Sequence, residues 1–296
     1  MNRYASKLGL GTAQWGMQYG VSNKQGQTPL EEVHRILKFA HSTGISLLDT
    51  ASLYGNAEQA LGQSNLSSFR VITKTPKFDK DWVSKADVEH LVQTFTASLQ
   101  KLGLKSAYGL LMHDVDNILL PNGSQLIGAL EQLRRQEYVS KIGISVYSSS
   151  QIKKALDLFK PDIIQLPINV LDQRLIQDGT IAHLSNLGIE VHARSTFLQG
   201  LLLMKLNDDI PKYFKPWMPL LTKWHGFCSD QLISPLHAAL GFVCSLKEIS
   251  YAVVGVQNQN QLKEILDDST TLNSFDFDQF ASDDPNILNP SVWSLT

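Results

Sequence analysis

The sequence predicts an α/β protein, a (β/α)8 TIM barrel folded as a single domain over residues 1–296. Short apolar runs rich in β-forming residues alternate with helical segments along the whole chain, and the runs are eight in number. They lack polar alternation, which is typical of parallel strands covered by helices on both faces. The chain of 296 residues also exceeds the roughly 250 residues that such a barrel needs.

The predicted strands carry one sequence pattern, and the segments between them carry another. In chain order, the strands are Leu8–Gly11, Ile45–Asp49, Arg70–Lys74, Tyr108–His113, Lys141–Ser145, Asp162–Leu166, Ile189–Ala193 and Tyr251–Gly255. Two of the intervening segments, Leu30–His41 and Val88–Leu102, place apolar residues three and four positions apart, which predicts amphipathic helices. The alternation therefore predicts a parallel sheet with helices outside it.

An open, doubly wound sheet is the competing fold. That fold needs a glycine-rich dinucleotide turn after its first strand. The turn Gly9-Leu10-Gly11-Thr12-Ala13 ends without the third glycine. We therefore favour the closed barrel.

Residues 203–230 are predicted to form a long loop on the substrate side of this domain. Three prolines, Pro211, Pro216 and Pro219, punctuate this segment, which also contains five aromatic residues. Long loops in barrels are often functional.

Composition excludes several classes of protein. The formal net charge is −2, with 26 basic and 28 acidic residues, and no basic stripe is present, so nucleic acid is not an expected partner. There is no apolar run of about 18 residues and no leader pattern, so we expect no membrane span and a cytoplasmic protein. Cys228 and Cys244 are then expected to be reduced. The sequence leaves the oligomeric state open.

Polar side chains follow the second, third and fourth predicted strands. Asp49, Lys74 and His113 end these strands, and Tyr54 lies in the loop that follows Asp49. The carboxyl ends of barrel strands form the reactive face. A phenol with a pKa of about 10 donates a proton poorly unless a cation favours its ionised form.

Lys74 supplies such a cation for Tyr54, and Asp49 would orient that lysine. His113 would point at the oxygen where negative charge develops, as carbonyl reduction requires. Each residue alone has a structural interpretation, such as an ordinary salt bridge or a helix-capping turn. Their joint placement favours catalysis.

At these residues the sequence resembles the aldo-keto reductase superfamily, and the resemblance spans nearly the whole chain. The matching stretches are Gly9–Thr12, Leu48–Asn56 with Leu61-Gly62, Val71–Thr75, Leu110–His113, Ile142–Ser145, Gln165 with Asn169, Ser195 with Gly200–Leu202, and Val254-Gly255.

The resemblance implies a barrel that binds NADPH, or less often NADH, without a Rossmann fold. It implies that Tyr54 is the proton donor, that Lys74 and Asp49 lower its pKa, and that His113 orients the substrate. The cofactor-binding residues that it implies are Gly11, Thr12, Asp49, Ser145, Gln165, Arg194, Ser195, Phe197, Leu198, Gly200, Gly255, Gln257, Gln261 and Glu264. Of these, Ser145 and Gln165 match nicotinamide contacts, residues 195–201 match the pyrophosphate loop, and residues 255–264 match the adenosine-phosphate site.

Three positions depart from the family pattern. Val146 replaces an asparagine that contacts the carboxamide. Arg194 replaces an aromatic residue that stacks on the nicotinamide, and a guanidinium can either stack there or bind a phosphate or carboxylate. The stretch Gly255–Gln261 has no Lys or Arg for a 2′-phosphate. NADP(H) is accordingly favoured only slightly over NAD(H).

A small carbonyl compound, with a sugar-derived one as the first guess, is the expected substrate. Its predicted pocket is walled by Trp15, Tyr54, Trp82, His113 and the loop aromatics Tyr213, Phe214, Trp217, Trp224 and Phe227. The eight histidines show no metal-ligand spacing, so no metal is expected. Two hypotheses stay open, a reductase (or the reverse dehydrogenase) and a catalytically weak, nucleotide-sensing partner protein.

Overall fold

Eight parallel strands close into a barrel in which each strand pairs with the next and β8 pairs with β1. The computed structural model describes residues 4–207, 210–267 and 275–295. The strands are β1 Leu8–Gly11, β2 Leu47–Asp49, β3 Arg70–Lys74, β4 Ala107–Met112, β5 Val139–Ser145, β6 Ile163–Pro167, β7 Glu190–Arg194 and β8 Ile249–Gly255. The predicted single-domain (β/α)8 fold is confirmed, and the predicted strands lie within two residues of the observed ends.

Helices connect successive strands and form the outer layer. Among the described residues they are α1 Ala13–Gly16, α2 Leu30–Thr43, α3 Ala57–Gly62, α4 Lys85–Leu102, α5 Asp116–Leu119, α6 Ser124–Arg135, α7 Ser149–Leu156, α8 Arg174–Gln177, α9 Thr180–Asn186, α10 Met218–Asp230, α11 Pro235–Ser245, α12 Gln259–Leu266 and α13 Pro285–Leu288. Helix α2 buries Val33, Ile36, Leu37 and Ala40, the spacing that predicted it. It ends at Gly44, whose φ of 89° suits a left-handed helix cap.

A polar cluster fills the amino end of the barrel. The Glu190 carboxylate accepts hydrogen bonds from the Tyr108 hydroxyl at 2.8 Å and from Lys141 Nζ at 2.5 Å, and His192 Nε2 lies 3.3 Å away. Burial alone would raise the pKa of Glu190, but its three partners outweigh burial and lower the pKa to about 2. This cluster lies at the opposite end of the barrel from the carboxyl ends of the strands, where (β/α)8 enzymes carry their chemistry.

The prediction of a long loop over residues 203–230 is wrong for the second half of that segment. A 3-10 helix spans Lys212–Trp217, and α10 follows directly. Pro219 lies in the first turn of α10, where a backbone N–H has no helical partner to lose. The prolines therefore mark the start of a helix instead of an irregular loop.

No helix in the described ranges is long and apolar enough to cross a membrane. Cys228 and Cys244 are buried and form no disulfide.

Candidate active site

A buried ion pair joins the ends of β2 and β3. Lys74 Nζ lies 2.8 Å from Oδ1 and 2.7 Å from Oδ2 of Asp49, and it donates to the Thr50 carbonyl at 3.1 Å. An ammonium group has three hydrogens, so its donors are fully used. Gln165 Nε2 also donates to Asp49 Oδ1, at 2.8 Å. Both charges are therefore compensated inside the barrel.

The barrel register places this pair. Gly11 of β1 is opposite Asp49, which is in turn opposite Ile72 of β3. The N–H and hydroxyl of Thr12 both donate to the Asp49 carbonyl, at 2.9 and 3.1 Å. The backbone of Asp49 is thus fixed from β1, and its side chain is held at the mouth.

Tyr54 is positioned by the packing of its loop against α1. A Cβ on Gly16 would lie 1.8 Å from the Tyr54 carbonyl oxygen, and one on Gly55 would lie 2.1 Å from the Gly16 carbonyl oxygen. Only glycine permits such a close approach of two backbones. The Tyr54 ring lies edge-on to His113, with 5.9 Å between centroids, and Lys74 Nζ is 5.1 Å from its centroid. The structure thus brings the four predicted catalytic side chains together.

Burial and the Asp49 carboxylate raise the pKa of Tyr54 above its ordinary value, and Arg194 opposes them. Burial also lowers the pKa of Lys74, and the Asp49 carboxylate offsets only part of this lowering. No hydrogen bond joins Lys74 to the Tyr54 hydroxyl, because the donors of Lys74 are taken by Asp49 and Thr50. Tyr54 is therefore protonated at neutral pH. The expectation that Lys74 and Asp49 lower its pKa is not met, because Asp49 raises that pKa and Arg194 is the cation that lowers it.

His113 is held neutral. Burial, followed by the charges of Lys74, Lys77 and Arg194, lowers the pKa of His113 to about 3. Its backbone N–H donates to the Thr75 hydroxyl at 3.2 Å, which ties the end of β4 to β3. A neutral imidazole keeps one N–H to donate to a substrate oxygen.

Replacing His113 with glutamine should make the fold less sensitive to mild acid. An unfolded chain gives histidine a pKa of about 6.5, whereas the folded value is about 3. Because the pKa of His113 is lower in the folded chain, the free energy of unfolding decreases as the pH falls below the histidine pKa of the unfolded chain. Between about pH 7 and pH 5 the unfolded chain binds a proton here that the folded chain does not, at a cost of about 2 kcal/mol.

Urea unfolding at these two pH values measures the effect. The His113→Gln variant should lose about 2 kcal/mol less free energy of unfolding than the wild type. His34→Gln, on the exposed surface of α2, is the control and should behave as the wild type. An equal acid response in all three proteins would contradict the neutral His113.

Arg194 ends β7 and is held by the loop after β5. Its Nη2 donates to the Val146 carbonyl at 3.0 Å, and its guanidinium lies 4.1 Å from the ring centroid of Tyr147. Within the described part of the chain no carboxylate forms an ion pair with it. Arg194 thus brings a net positive charge to the mouth.

Tyr19 and Tyr147 were not predicted from the sequence. Tyr19 is 41% exposed as a residue. Its hydroxyl nevertheless interacts with Tyr54, Arg194 and Tyr147, and burial raises its pKa to about 12. Tyr19 follows β1 and Tyr147 follows β5, so both lie on the reactive face, and this position could have indicated them from the sequence.

The predicted nicotinamide and pyrophosphate residues lie at the same end of the barrel. Ser145 and Gln165 are buried and directly opposite each other in the register of β5 and β6. Ser195, Leu198, Gln199 and Gly200 all have positive φ angles, between 48° and 91°. Strained backbone of this kind, rare outside glycine, clusters at functional sites. Phe197 lies half-buried within the same segment.

The predicted adenosine-phosphate residues surround the start of α12. Gly255 ends β8, and the Gln257 N–H donates to Gln261 Oε1 at 2.8 Å. Glu264 lies exposed further along the helix. The structure therefore groups Gly255, Gln257 and Gln261 and leaves Glu264 at the periphery.

The expected aromatic wall of the substrate pocket differs in the structure. Trp15 is fully buried and its indole N–H donates to the Val256 carbonyl at 2.9 Å, while Trp82 is 56% exposed. Phe214 and Trp224 are fully buried, and Trp224 Nε1 donates to the Leu202 carbonyl at 3.0 Å.

The other three loop aromatics also pack within the protein. Tyr213 donates to the Asn286 carbonyl, Trp217 donates to Asp284, and Phe227 packs on Phe280. The five loop aromatics thus anchor the C-terminal segment. Residues 275–293 supply partners for all five, which favours ordinary packing as the role of these aromatics.

No group of three potential ligands among the described residues could hold a metal ion.

A closed parallel barrel with this cluster at its carboxyl end has a candidate active site where (β/α)8 enzymes carry theirs. The model of the Aldo/keto reductase family matches residues 7–284. The chain therefore belongs to the aldo/keto reductase family, as its resemblance predicted.

Two curated relatives and one solved structure are similar to this chain. An aldo-keto reductase of Mycobacterium sp. (strain KMS) is 27% identical over 233 residues, covering 76% of each chain. The L-galactose dehydrogenase of Arabidopsis thaliana is 24% identical over 98% of this chain and 92% of its own. The holo form of an aldo-keto reductase from Bacillus halodurans superposes with a TM-score of 0.75 at 20% identity, over 93% of this chain and 92% of its own. This last likeness concerns the fold.

Proposed function

We propose that this protein reduces a small aldehyde or ketone to an alcohol, or runs the reverse oxidation, with a nicotinamide dinucleotide. The observation that carries the proposal is the grouping of Tyr54 and His113 around the buried Lys74–Asp49 pair. The family membership supports carbonyl reduction in general.

The residues at the mouth fit such a cofactor. Ser145 and Gln165 offer a hydroxyl and an amide side by side. Two buried polar atoms, Thr196 Oγ1 and Gln14 Oε1, have no hydrogen-bond partner among the described residues. A buried polar atom without a partner is costly, so ligand or water is expected to satisfy it. When bound, the cofactor supplies or accepts the hydride.

Proton delivery falls to Tyr54. Its raised pKa keeps the hydroxyl protonated at neutral pH, so the proton is available at Oη. The positive charge of Arg194 stabilises the tyrosinate left behind. Neutral His113 donates to the substrate oxygen, and the Asp49–Lys74 pair holds the loops of β2 and β3 in register.

The test is cofactor oxidation by the purified protein with a panel of aldehydes, ketones and reducing sugars. Each compound is offered with NADH and with NADPH, and the loss of reduced nicotinamide is followed. Turnover of at least one class supports the proposal. Tight nucleotide binding without turnover of any compound would instead favour the nucleotide-sensing partner protein, to which the departures at Val146 and Arg194 point.

Arg194 is proposed to bind an anionic group on a sugar-derived substrate. The charge is unpaired within the described residues and held in place by Tyr147. Replacing Arg194 with methionine should raise KM for galacturonate about tenfold more than KM for galactose, equivalent to about 1.4 kcal/mol. Equal losses on both sugars would show instead that Arg194 does not contact the anionic group of the substrate.

A further inference from the structure

A carboxylate from α2 lies at the beginning of α12. Glu32 Oε1 accepts a hydrogen bond of 2.7 Å from the backbone N–H of Gln259, the first residue of α12. This contact joins residues 227 positions apart. The family resemblance places the adenosine phosphate of the cofactor along residues 255–264, which includes this helix start.

Three of the N–H groups that a phosphate could use at this point already have partners. The Gln257 N–H donates to Gln261 Oε1 at 2.8 Å, and the Gln261 N–H donates to Asn258 Oδ1 at 2.9 Å. The Gln259 N–H is taken by Glu32. Helix starts bind phosphates through free N–H groups, so a 2′-phosphate that used any of these three would have to displace a protein acceptor.

The Glu32 carboxylate at this helix start is ionised, and the two nearby cations, Arg35 and Lys263, contact other groups. The Gln259 N–H, despite some burial, lowers the pKa of Glu32, so its carboxylate is ionised at neutral pH. Arg35 Nε donates to the other Glu32 oxygen at 2.7 Å. Lys263 Nζ lies 5.8 Å from the centroid of the Phe39 ring, on the flank of α2. Residues 255–262 contain no Lys or Arg.

We infer that the protein binds NAD(H) in preference to NADP(H) and that Glu32 is the residue that sets this preference. The inference rests on the proposed function and reverses the slight NADP(H) preference drawn from the sequence. A 2′-hydroxyl can donate to the Glu32 carboxylate, whereas a 2′-phosphate with roughly two negative charges is repelled by it. An acidic residue at the adenosine ribose serves NAD-binding proteins of other folds in the same way.

The test compares the dissociation constants of NADH and NADPH by fluorescence titration, without substrate. The wild type should bind NADH at least about tenfold more tightly, a difference of about 1.4 kcal/mol. In Glu32→Gln the amide oxygen can still accept from Gln259, but the charge is gone. This variant should bind NADPH about tenfold more tightly than the wild type does, with NADH affinity unchanged or slightly weaker.

Glu31→Gln is the matched control. It removes an equal charge from the same turn of α2, and Glu31 is exposed. Both nucleotides should bind to this variant as they bind to the wild type. An equal gain in NADPH affinity in Glu31→Gln would show that general surface charge, and not Glu32, sets the preference.

Arg35→Gln tests the remaining cation. If Arg35 turns from Glu32 to hold the phosphate, this variant will lose NADPH affinity and keep NADH affinity, which would overturn the inference. Tighter binding of NADPH than of NADH to the wild type would also overturn it and leave the proposed function intact. Failure of both nucleotides to bind would instead remove the proposed function itself.

Discussion

Tyr54→Phe should lower kcat for carbonyl reduction by about 100- to 10,000-fold, the range that a positioned proton donor contributes. The variant keeps the ring that lies edge-on to His113 and removes only the hydroxyl. Nucleotide affinity should stay at the wild-type value, because the ring still packs beside Lys74. Steady-state kinetics together with a nucleotide titration separate the two effects.

The matched control for Tyr54 is Tyr138→Phe. Tyr138 precedes β5 at the amino end of the barrel and is largely exposed. The same hydroxyl is lost, yet kcat should not change. Full activity in Tyr54→Phe would remove Tyr54 as the proton donor, whatever the effect on binding.

The barrel could be predicted from the sequence because each strand carries its own evidence. All five residues of β6 are buried, and its apolar run is visible without knowledge of the neighbouring strands. The candidate catalytic side chains were predicted for a similar reason, since Asp49, Lys74 and His113 end such runs or directly follow them. In both cases local pattern and global fold agree.

Contacts between distant loops could not be predicted. The hydrogen bond from Gln259 to Glu32 and the stacking of Arg194 on Tyr147 exist only once the barrel has closed. Neither Glu32 nor Tyr147 stands out locally, since an acidic first turn of a helix and an aromatic residue after a strand are common features.

Helix α10 was missed for a different reason, because the helical spacing of its apolar residues is visible in the sequence. Leu221, Trp224 and Cys228 lie three and four residues apart and are buried on one face. The prolines at 211, 216 and 219 outweighed this pattern. A proline in the first turn is compatible with a helix, so their position relative to the apolar spacing was the better guide.

Lys74→Met should destabilise the fold by about 3–5 kcal/mol, the cost of leaving one buried charge without its partner. The Asp49 carboxylate would keep only the hydrogen bond from Gln165. Urea unfolding measures the loss, and activity should fall with it, because the ends of β2 and β3 lose their ionic link.

The double variant Asp49→Asn/Lys74→Met separates stability from chemistry. Neither remaining side chain is charged, so most of the lost free energy of unfolding should return, since replacing both members of a buried pair is often nearly neutral. Activity should stay low, because the polar environment of Tyr54 is not restored. If Lys74→Met alone were as stable as the wild type, the pair would have to be open to water, contrary to its burial between β2 and β3.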